Sequence, residues 1–114
     1  MNRLVNIAKG MAVENKIDLN NISISYFSGD WCPMCVRATP IIMKYLDFIG
    51  FESDNLINYD IKRGKREPKE IIDKYKIIFV PTLIIFNSGK EIGRITESPI
   101  KSWEEDILEI IKFK

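Results

Sequence analysis

The sequence predicts an α/β fold in which a central mixed sheet of about four strands is covered by helices on both faces. Its periodic segments follow the order helix, strand, helix, strand, helix, strand, strand, helix, and this alternation favours a sheet covered on both sides. A chain of 114 residues has the length of one domain that buries roughly two-thirds of its unfolded surface. Hydrophobic residues make up 46% and charged residues 29%, which is typical of globular proteins. We therefore expect a single domain over residues 1–114.

The first segments predict a helix followed by a buried strand. Apolar side chains recur at helical spacing over residues 4–16, which indicates an amphipathic helix packed on the core. After a turn at Asn20, residues 22–27 form a β-prone apolar run and predict a buried strand. This strand is expected to end near Gly29, and a loop that carries both cysteines follows it directly.

Residues 33–49 predict the second helix, because their apolar side chains share one helical face. Pro33 lies in the first turn, where proline is tolerated, and Gly50 is a stop signal. Pro40 lies inside this helix, where a proline deletes a backbone hydrogen bond at a cost of about 3 kcal/mol. We therefore expect a kink near Pro40.

The middle of the chain predicts a second strand and a short third helix. The strand covers residues 55–61, and a right-handed crossover would place it parallel to the first. Residues 62–69 form a polar, basic loop. Pro68 is expected to open a short helix that extends through Tyr75.

The last third predicts a β-hairpin and a final helix. Residues 82–86 and 90–96 flank a turn that contains Gly89, so they should be antiparallel neighbours. Ser98 and the proline after it look like a helix entry. The apolar stripe of this helix consists of Ile100, Trp103, Ile107, Ile110 and Ile111. The aromatic residues expected in the core are Phe27, Phe79, Phe86 and Trp103.

Charge and composition exclude several classes of function. The formal net charge is +1, so no field of the whole molecule points to nucleic acid or to an acidic membrane. No apolar run approaches the roughly 20 residues that span a bilayer, and the amino terminus lacks a signal-peptide core, which predicts a cytoplasmic protein. Histidine is absent, which excludes mechanisms that need an imidazole base, ligand or switch.

The two cysteines are the most informative residues. Cys32 and Cys35 are three positions apart and lie where a strand runs into a helix. The unpaired N–H groups and the positive dipole end of that helix favour a thiolate at Cys32. Cys32 could therefore open a substrate disulfide, and Cys35, about one turn further on, could resolve the mixed disulfide.

Three other readings of the cysteine pair compete with this one. A structural disulfide across so short a loop would restrict the unfolded chain by only about 2 kcal/mol. Half of a metal site could be completed by a second chain or by acidic ligands, because thiolates bind zinc and copper(I) well. Two independent buried cysteines are the third reading. A lone Cys-x-x-Cys motif does not decide between them, so the surrounding sequence must.

Three features of the surrounding sequence belong together. They are Trp31-Cys32-Pro33-Met34-Cys35 after a strand, Pro40 five residues beyond the second cysteine, and Val80-Pro81-Thr82-Leu83 before a hairpin. Together they resemble the thioredoxin family over nearly the whole chain. The resemblance implies a tryptophan before the nucleophile, a proline that kinks the active-site helix, and a cis proline that faces the cysteines. These roles fall on Trp31, Cys32, Cys35, Pro40 and Pro81.

The resemblance also implies how a substrate is recognised. If the bond before Pro81 is cis, the backbone of Val80 would lie beside the sulfurs and could pair with an extended substrate segment. Recognition would then be mostly by main-chain atoms and broad. The residues expected to contact substrate are Trp31, Pro33, Met34, Val80 and Pro81.

The chain departs from the family pattern at Tyr26. The family often carries a buried aspartate there, which assists proton transfer at the resolving cysteine. A phenol with a pKa near 10 is a poor base at neutral pH, so the proton of Cys35 must go to another group. Water, Asp30 and Asp60 are the candidates from the sequence.

The dipeptide between the cysteines leaves the redox direction open. Pro33-Met34 is neither the Gly-Pro of reducing thioredoxins nor a histidine-containing pair of strong oxidants. Proline after the first cysteine resembles glutaredoxins and some periplasmic oxidants. We expect an intermediate potential that is used reductively in the cytosol.

A basic segment follows the second predicted strand, at the sheet end where the cysteines should lie. It contains Lys62, Arg63, Lys65, Arg66 and Lys69. Most such charge runs are solvated loops. The sharper hypothesis is that this loop helps to ionise Cys32 and steers acidic partners. The resemblance places Glu97 near the same rim, where its charge would oppose this effect.

The sequence thus predicts a monomeric protein-disulfide oxidoreductase without a built-in cofactor. Cys32 attacks protein disulfides, Cys35 resolves them, and a reductase or a low-molecular-weight thiol supplies the electrons. No nucleic-acid, membrane or metal site is expected. The alternatives are a thioredoxin-like metal-binding module and a redox-sensing interaction domain that works without turnover.

Overall fold

A computed structural model describes residues 17–64 and 67–112. Within these ranges four strands and three α-helices alternate along the chain. The strands are β1 (Ile22–Ser28), β2 (Leu56–Asp60), β3 (Thr82–Asn87) and β4 (Lys90–Thr96). The helices are α1 (Pro33–Phe48), α2 (Lys69–Tyr75) and α3 (Trp103–Lys112), and a single 3₁₀ turn covers Ser53–Asn55. The helix predicted for residues 4–16 lies outside the described residues.

The four strands form one mixed sheet in the order β2-β1-β3-β4. The central strand β1 is parallel to β2 and antiparallel to β3. The hairpin of β3 and β4 is antiparallel, as the sequence predicts. As a central strand with two partners, β1 uses the backbone hydrogen-bonding groups on both of its edges. Five of its seven residues are buried.

Helices cover both faces of this sheet, which confirms the predicted fold class. Alternate residues of β1 point to opposite faces because the side-chain period of a strand is two. On one face, Ile24 and Tyr26 join a large cluster with α1 and α3 that includes Ile42 and Ile107. On the other face, Phe27 joins a smaller cluster that also contains Ile61, Ile72, Ile77 and Ile84.

The final helix begins later than the sequence predicts. It starts at Trp103 because Ser102 caps it: Ser102 Oγ accepts the Glu105 N–H at 3.0 Å and also bonds the Glu105 carboxylate. Ser102 is thus a serine N-cap with a glutamate three residues further on, which is the sequence pattern of a capping box. Asp106 accepts the N–H groups of Ile100 and Lys101, which holds them in a turn before the helix. Ile100 is therefore 94% exposed, and its assignment to the apolar stripe was wrong.

The aromatic residues divide between the core and the surface. Phe27 and Trp103 are buried, as predicted. Phe86 is half-buried against the smaller cluster, where it contacts Tyr75. Phe79 is 53% exposed, so its prediction as a core residue was wrong. Phe79 lies in the segment between α2 and β3 and outside any strand, so strand periodicity does not direct its side chain inward.

The described helices include none that is long and apolar enough to cross a membrane.

Candidate active site

Cys32 lies at the point where the loop after β1 enters α1. It is the N-cap of that helix, with extended backbone angles, and Pro33 follows in the first turn. The backbone N–H of Cys35 donates to Cys32 Sγ at 3.2 Å. A sulfur thus occupies the capping position that an oxygen usually takes, and the first turn of the helix directs an N–H group at the atom that would attack a disulfide.

The two cysteines are free thiols in different environments. Cys32 is 6% and Cys35 1% exposed. Burial raises the pKa of the Cys35 thiol to about 12, and the neighbouring Cys32 raises it further through their hydrogen bond. Desolvation favours the neutral form of a thiol. Cys35 is therefore held as a thiol at neutral pH, behind the sulfur that reaches the surface.

The segment before β3 contacts the cysteine motif. The Val80–Pro81 peptide bond is cis, and the Cys32 thiol donates a weak hydrogen bond to the Val80 carbonyl oxygen at 3.8 Å. The backbone N–H of Glu97 donates to the Pro81 carbonyl oxygen at 2.7 Å, which places Glu97 beside this segment. The structure thus brings Cys32 and Val80 together, although they are 48 positions apart.

Pro81 and the motif dipeptide differ in what they present to solvent. Pro81 is fully buried, so a substrate at the site would meet the backbone of Val80 rather than the Pro81 ring. Pro33 is exposed beside Cys32, and Met34 is half-buried in the first turn of α1. Neither Pro33 nor Met34 lines the groove next to Cys32.

Trp31 stands at the rim in a fixed orientation. Its indole N–H donates to the Ile61 carbonyl oxygen at 2.7 Å, and the side chain is 37% exposed. Gly29 makes room for it, because a Cβ atom at position 29 would collide with the indole and lie 2.8 Å from the Ile61 oxygen. The guanidinium of Arg63 lies 5.9 Å from the centre of the indole ring, within the range of a cation–π contact.

A groove of about 250 Å³ opens beside Cys32. Its lining consists of Trp31, Cys32, Ile61, Lys62, Gly64 and the segment 77–80. The side chains of Ile78 and Phe79 in that segment are mostly exposed. The sequence patterns did not reveal this wall, because a run of four apolar residues before Pro81 does not by itself show which of them face outward.

A hydrogen-bonded chain lies beneath the cysteines. The Tyr26 hydroxyl is 2.8 Å from Thr39 Oγ1, and the Thr39 hydroxyl donates to the Cys35 carbonyl oxygen at 2.7 Å. A threonine has only one hydroxyl proton, so Tyr26 is the donor to Thr39. Burial raises the pKa of Tyr26 to about 12. The phenol therefore stays neutral and does not accept the proton of Cys35.

Both candidate carboxylates, Asp30 and Asp60, are solvent-exposed. Asp60 bonds Lys62 Nζ at 2.6 Å in an exposed ion pair. Asp30 is exposed, and neither Asp30 nor Asp60 is among the groups that shift the pKa of Cys35.

Two of the five residues of the basic segment form ion pairs with carboxylates that lie just outside it. Lys62 pairs with Asp60, and Lys69 pairs with Asp73 at 2.7 Å. Arg63 stacks on Trp31, whereas Lys65 and Arg66 lie outside the described residues. Exposed pairs of this kind contribute little field beyond a few ångströms. The described part of the loop therefore gives little support to the hypothesis that it helps to ionise Cys32.

Within residues 17–64 and 67–112, no three Cys, Asp or Glu side chains form a group that could hold a metal ion. A four-coordinate zinc ion bound by Cys32 and Cys35 would need its other two ligands from water or from outside these residues.

Comparisons with known proteins agree with this geometry. Residues 19–110 match the family model described as "Thioredoxin domain-containing protein 17-like, thioredoxin domain". The chain is 30% identical to a thioredoxin of Echinococcus granulosus over 86 residues, which cover 75% of each protein. It is 25% identical to the mitochondrial thioredoxin-2 of Schizosaccharomyces pombe over 101 residues, which cover 88% of this chain and 71% of the relative.

Solved structures show the same fold. The thioredoxin of Fasciola hepatica aligns with a TM-score of 0.61 at 20% identity, covering 97% of this chain and 88% of that one. The fold and the paired cysteines define a thioredoxin-like domain. The family match and the relatives then identify it: the chain belongs to the thioredoxin family, within the thioredoxin domains of the protein 17-like type. This membership and the Cys-x-x-Cys pair indicate a thiol–disulfide oxidoreductase in general.

Proposed function

We propose that this protein reduces disulfides in protein substrates, with Cys32 as the nucleophile and Cys35 as the resolving cysteine. One observation carries the proposal: the sulfur that caps α1 and accepts the Cys35 N–H also lines an open groove. The attacking atom is therefore held by the helix and accessible from one side. Trp31 and the backbone of Val80 would flank an incoming polypeptide.

The first step transfers the substrate to the enzyme. The Cys32 thiolate attacks one sulfur of the substrate disulfide, so a Cys32–substrate bond forms while the substrate S–S bond breaks. The second substrate sulfur leaves as a thiolate and takes a proton from water. The positive dipole end at the amino terminus of α1 favours the negative charge that the reacting sulfurs carry during this step.

The second step releases the product. Cys35 loses its proton to water, and its thiolate attacks Cys32 Sγ. The bond between Cys32 and the substrate breaks, the substrate leaves as a second thiolate, and a Cys32–Cys35 disulfide forms. Two electrons have moved from the dithiol to the substrate. A reductase or a low-molecular-weight thiol then returns two electrons to the disulfide, which closes the cycle.

The environment of Cys35 supports use as a reductant. A strongly oxidising pair gains its potential by stabilising the reduced, ionised form. Here burial raises the pKa of Cys35 instead, so this thiolate is not stabilised. We place the activity in the cytoplasm, because a dithiol reductant needs a compartment that keeps thiols reduced. The proposed form of the protein is a monomer with a single domain.

Insulin reduction tests the proposal. The pre-reduced protein should open insulin disulfides, Cys32→Ser should abolish the reaction, and Cys35→Ser should accumulate a covalent complex between the protein and insulin. Exposed Ser98→Ala lies outside the site and serves as the control. If the unmodified thiols do not react with any disulfide at neutral pH, the proposal is wrong.

A second candidate function follows from the same buried thiol. Because burial raises the pKa of Cys35, the mixed disulfide between Cys32 and the substrate should resolve slowly. A redox-sensing interaction domain needs such a long-lived covalent complex. The lifetime of the complex separates the two functions. A lifetime much shorter than one insulin turnover supports the reductase, whereas a complex that persists for many minutes supports the sensor.

A further inference from the structure

Two exposed apolar side chains stand side by side at the groove next to Cys32. Ile78 is 67% and Phe79 53% exposed, whereas the preceding Ile77 is 3% exposed. Both exposed residues line the same groove as the Cys32 sulfur. Single exposed apolar residues are common on protein surfaces, but an adjacent pair in a concave site is typical of a binding surface.

The segment that carries this pair is held in place from below. The Ile77 N–H donates to the Ile72 carbonyl oxygen at 2.9 Å, and the Ile77 side chain packs in the smaller core cluster. The Thr82 hydroxyl donates to the Phe79 carbonyl oxygen at 2.5 Å. A wall that is already ordered loses little conformational entropy when a partner binds.

Trp31 and Ile61 form another fixed part of the groove, through the hydrogen bond between the indole and the Ile61 carbonyl. The volume of about 250 Å³ lies below the roughly 300–1,000 Å³ of small-molecule sites. The groove therefore suits one large side chain of a polypeptide better than a cofactor.

The charged residues at the groove indicate which type of substrate side chain it favours. Lys62 is the charged residue of the lining, and Arg63 stacks over the Trp31 ring. Asp60 neutralises Lys62 from its exposed side. A basic substrate residue would meet the like charge of Arg63, whereas an apolar residue would cover Ile78 and Phe79 and remove their surface from water.

We propose that Ile78 and Phe79 determine substrate specificity by holding a large apolar side chain next to the cysteine that Cys32 attacks. The proposal rests on the proposed function and names its substrate class: protein disulfides in extended segments with a large apolar neighbour. Successive residues of an extended chain rise about 3.3 Å. A side chain one or two positions from the attacked cysteine therefore reaches the groove while the sulfurs are in contact.

Three disulfide-linked peptides test this specificity. They differ only in the residue beside the cysteine, which is Phe, Ser or Lys, and the pre-reduced protein is mixed with each in single-turnover experiments. We expect the Phe peptide to react about tenfold faster than the Ser peptide, which is the discrimination of a modest apolar pocket. The Lys peptide should react most slowly.

Variants assign the preference to the two residues. In the double variant Ile78→Ser, Phe79→Ser, the ratio of the Phe rate to the Ser rate should fall to about one. Ile57 is 52% exposed on β2 and lies outside the groove lining, so Ile57→Ser should keep the ratio of the unmodified protein. Thermal unfolding of each variant verifies that it is folded.

The outcomes separate this inference from the proposed function. Equal rates for the Phe and Ser peptides in the unmodified protein overturn the specificity proposal, as does a preference that survives in the double variant. In both cases the reductase function stands. A protein that reduces none of the peptides and does not react with a small aromatic disulfide overturns the proposed function together with this inference.

Discussion

The hydroxyl of Tyr26 lies 2.8 Å from Thr39 Oγ1, and through Thr39 it is linked to the backbone of Cys35. The side chain that occupies the space under the cysteines is therefore a neutral hydrogen-bond donor to α1. It supports the turn that carries Cys35, but it does not accept the proton that Cys35 must lose. The chemistry of the second step follows from this relationship.

Replacing Tyr26 with aspartate should accelerate that second step. A buried carboxylate under Cys35 could accept its proton, and a positioned base contributes about 10²-fold or more. Tyr26→Asp should therefore resolve the mixed disulfide about ten to a hundred times faster, while the lost packing lowers the free energy of unfolding by roughly 2–4 kcal/mol. Release of a fluorescent peptide measures the rate. Tyr26→Asn is the control, and equal rates for the two variants would contradict the role of the carboxylate.

The rate of the second step should rise with pH. Because the pKa of Cys35 is raised to about 12, its thiolate fraction increases about tenfold per pH unit at lower pH. Between pH 7 and 9 the resolution rate should follow that increase, since the thiolate is the attacking species. Stopped-flow measurements on the pre-formed mixed disulfide give the profile. A flat profile would mean that proton loss from Cys35 does not limit the step.

Stability should fall at alkaline pH. Burial raises the pKa of Cys35 from its ordinary 9.0 to about 12 and that of Tyr26 from 10.0 to about 12. The folded state holds these protons more tightly, so the unfolded state ionises first. The stabilisation is complete below pH 9 and is lost as pH rises toward 12. Urea unfolding at a series of pH values should show this decline, and Cys35→Ala should make it shallower. Identical slopes for both proteins would refute the contribution of Cys35.

Gly29→Ala should displace Trp31. The new Cβ atom would collide with the indole and with the Ile61 carbonyl that the indole binds, so stability should fall by about 1–3 kcal/mol. The indole N–H signal of Trp31 in NMR spectra should shift with the loss of its hydrogen bond. Gly50→Ala is the control: its Cβ meets no atom within 4 Å, although φ is +82°, so it should lose only about 1–2 kcal/mol. An unshifted Trp31 signal in Gly29→Ala would show that the indole does not need the space.

Ser102→Ala should destabilise the last helix. The variant loses the oxygen that accepts the Glu105 N–H, and such a cap contributes about 1 kcal/mol. Urea unfolding measures the difference. Ser98→Ala removes a hydroxyl from the predicted helix entry outside α3, so its stability should match the unmodified protein. The prediction fails if the two alanine variants are equally stable.

Much of the fold could be predicted from local patterns in the sequence. The β-prone run of β1, the apolar face of α1 with Pro33 in its first turn, and the hairpin around Gly89 all match the structure closely. These features depend on residues within a few positions of each other, where backbone sterics and side-chain periodicity act directly. The position of the cysteine pair at the start of α1 follows from the same rules.

The surroundings of the Cys32 sulfur depend on the tertiary structure. The bond between Trp31 and Ile61 joins residues 30 positions apart, and the contact of Cys32 with Val80 spans 48. The exposure of Phe79 and the pairing of Tyr26 with Thr39 depend on which elements meet in space. Sequence periodicity assigns a side chain to a face of its own element, but the partner on that face comes from a distant part of the chain. The groove, its apolar wall and the neutral phenol under Cys35 therefore emerged only when the sheet and helices were assembled.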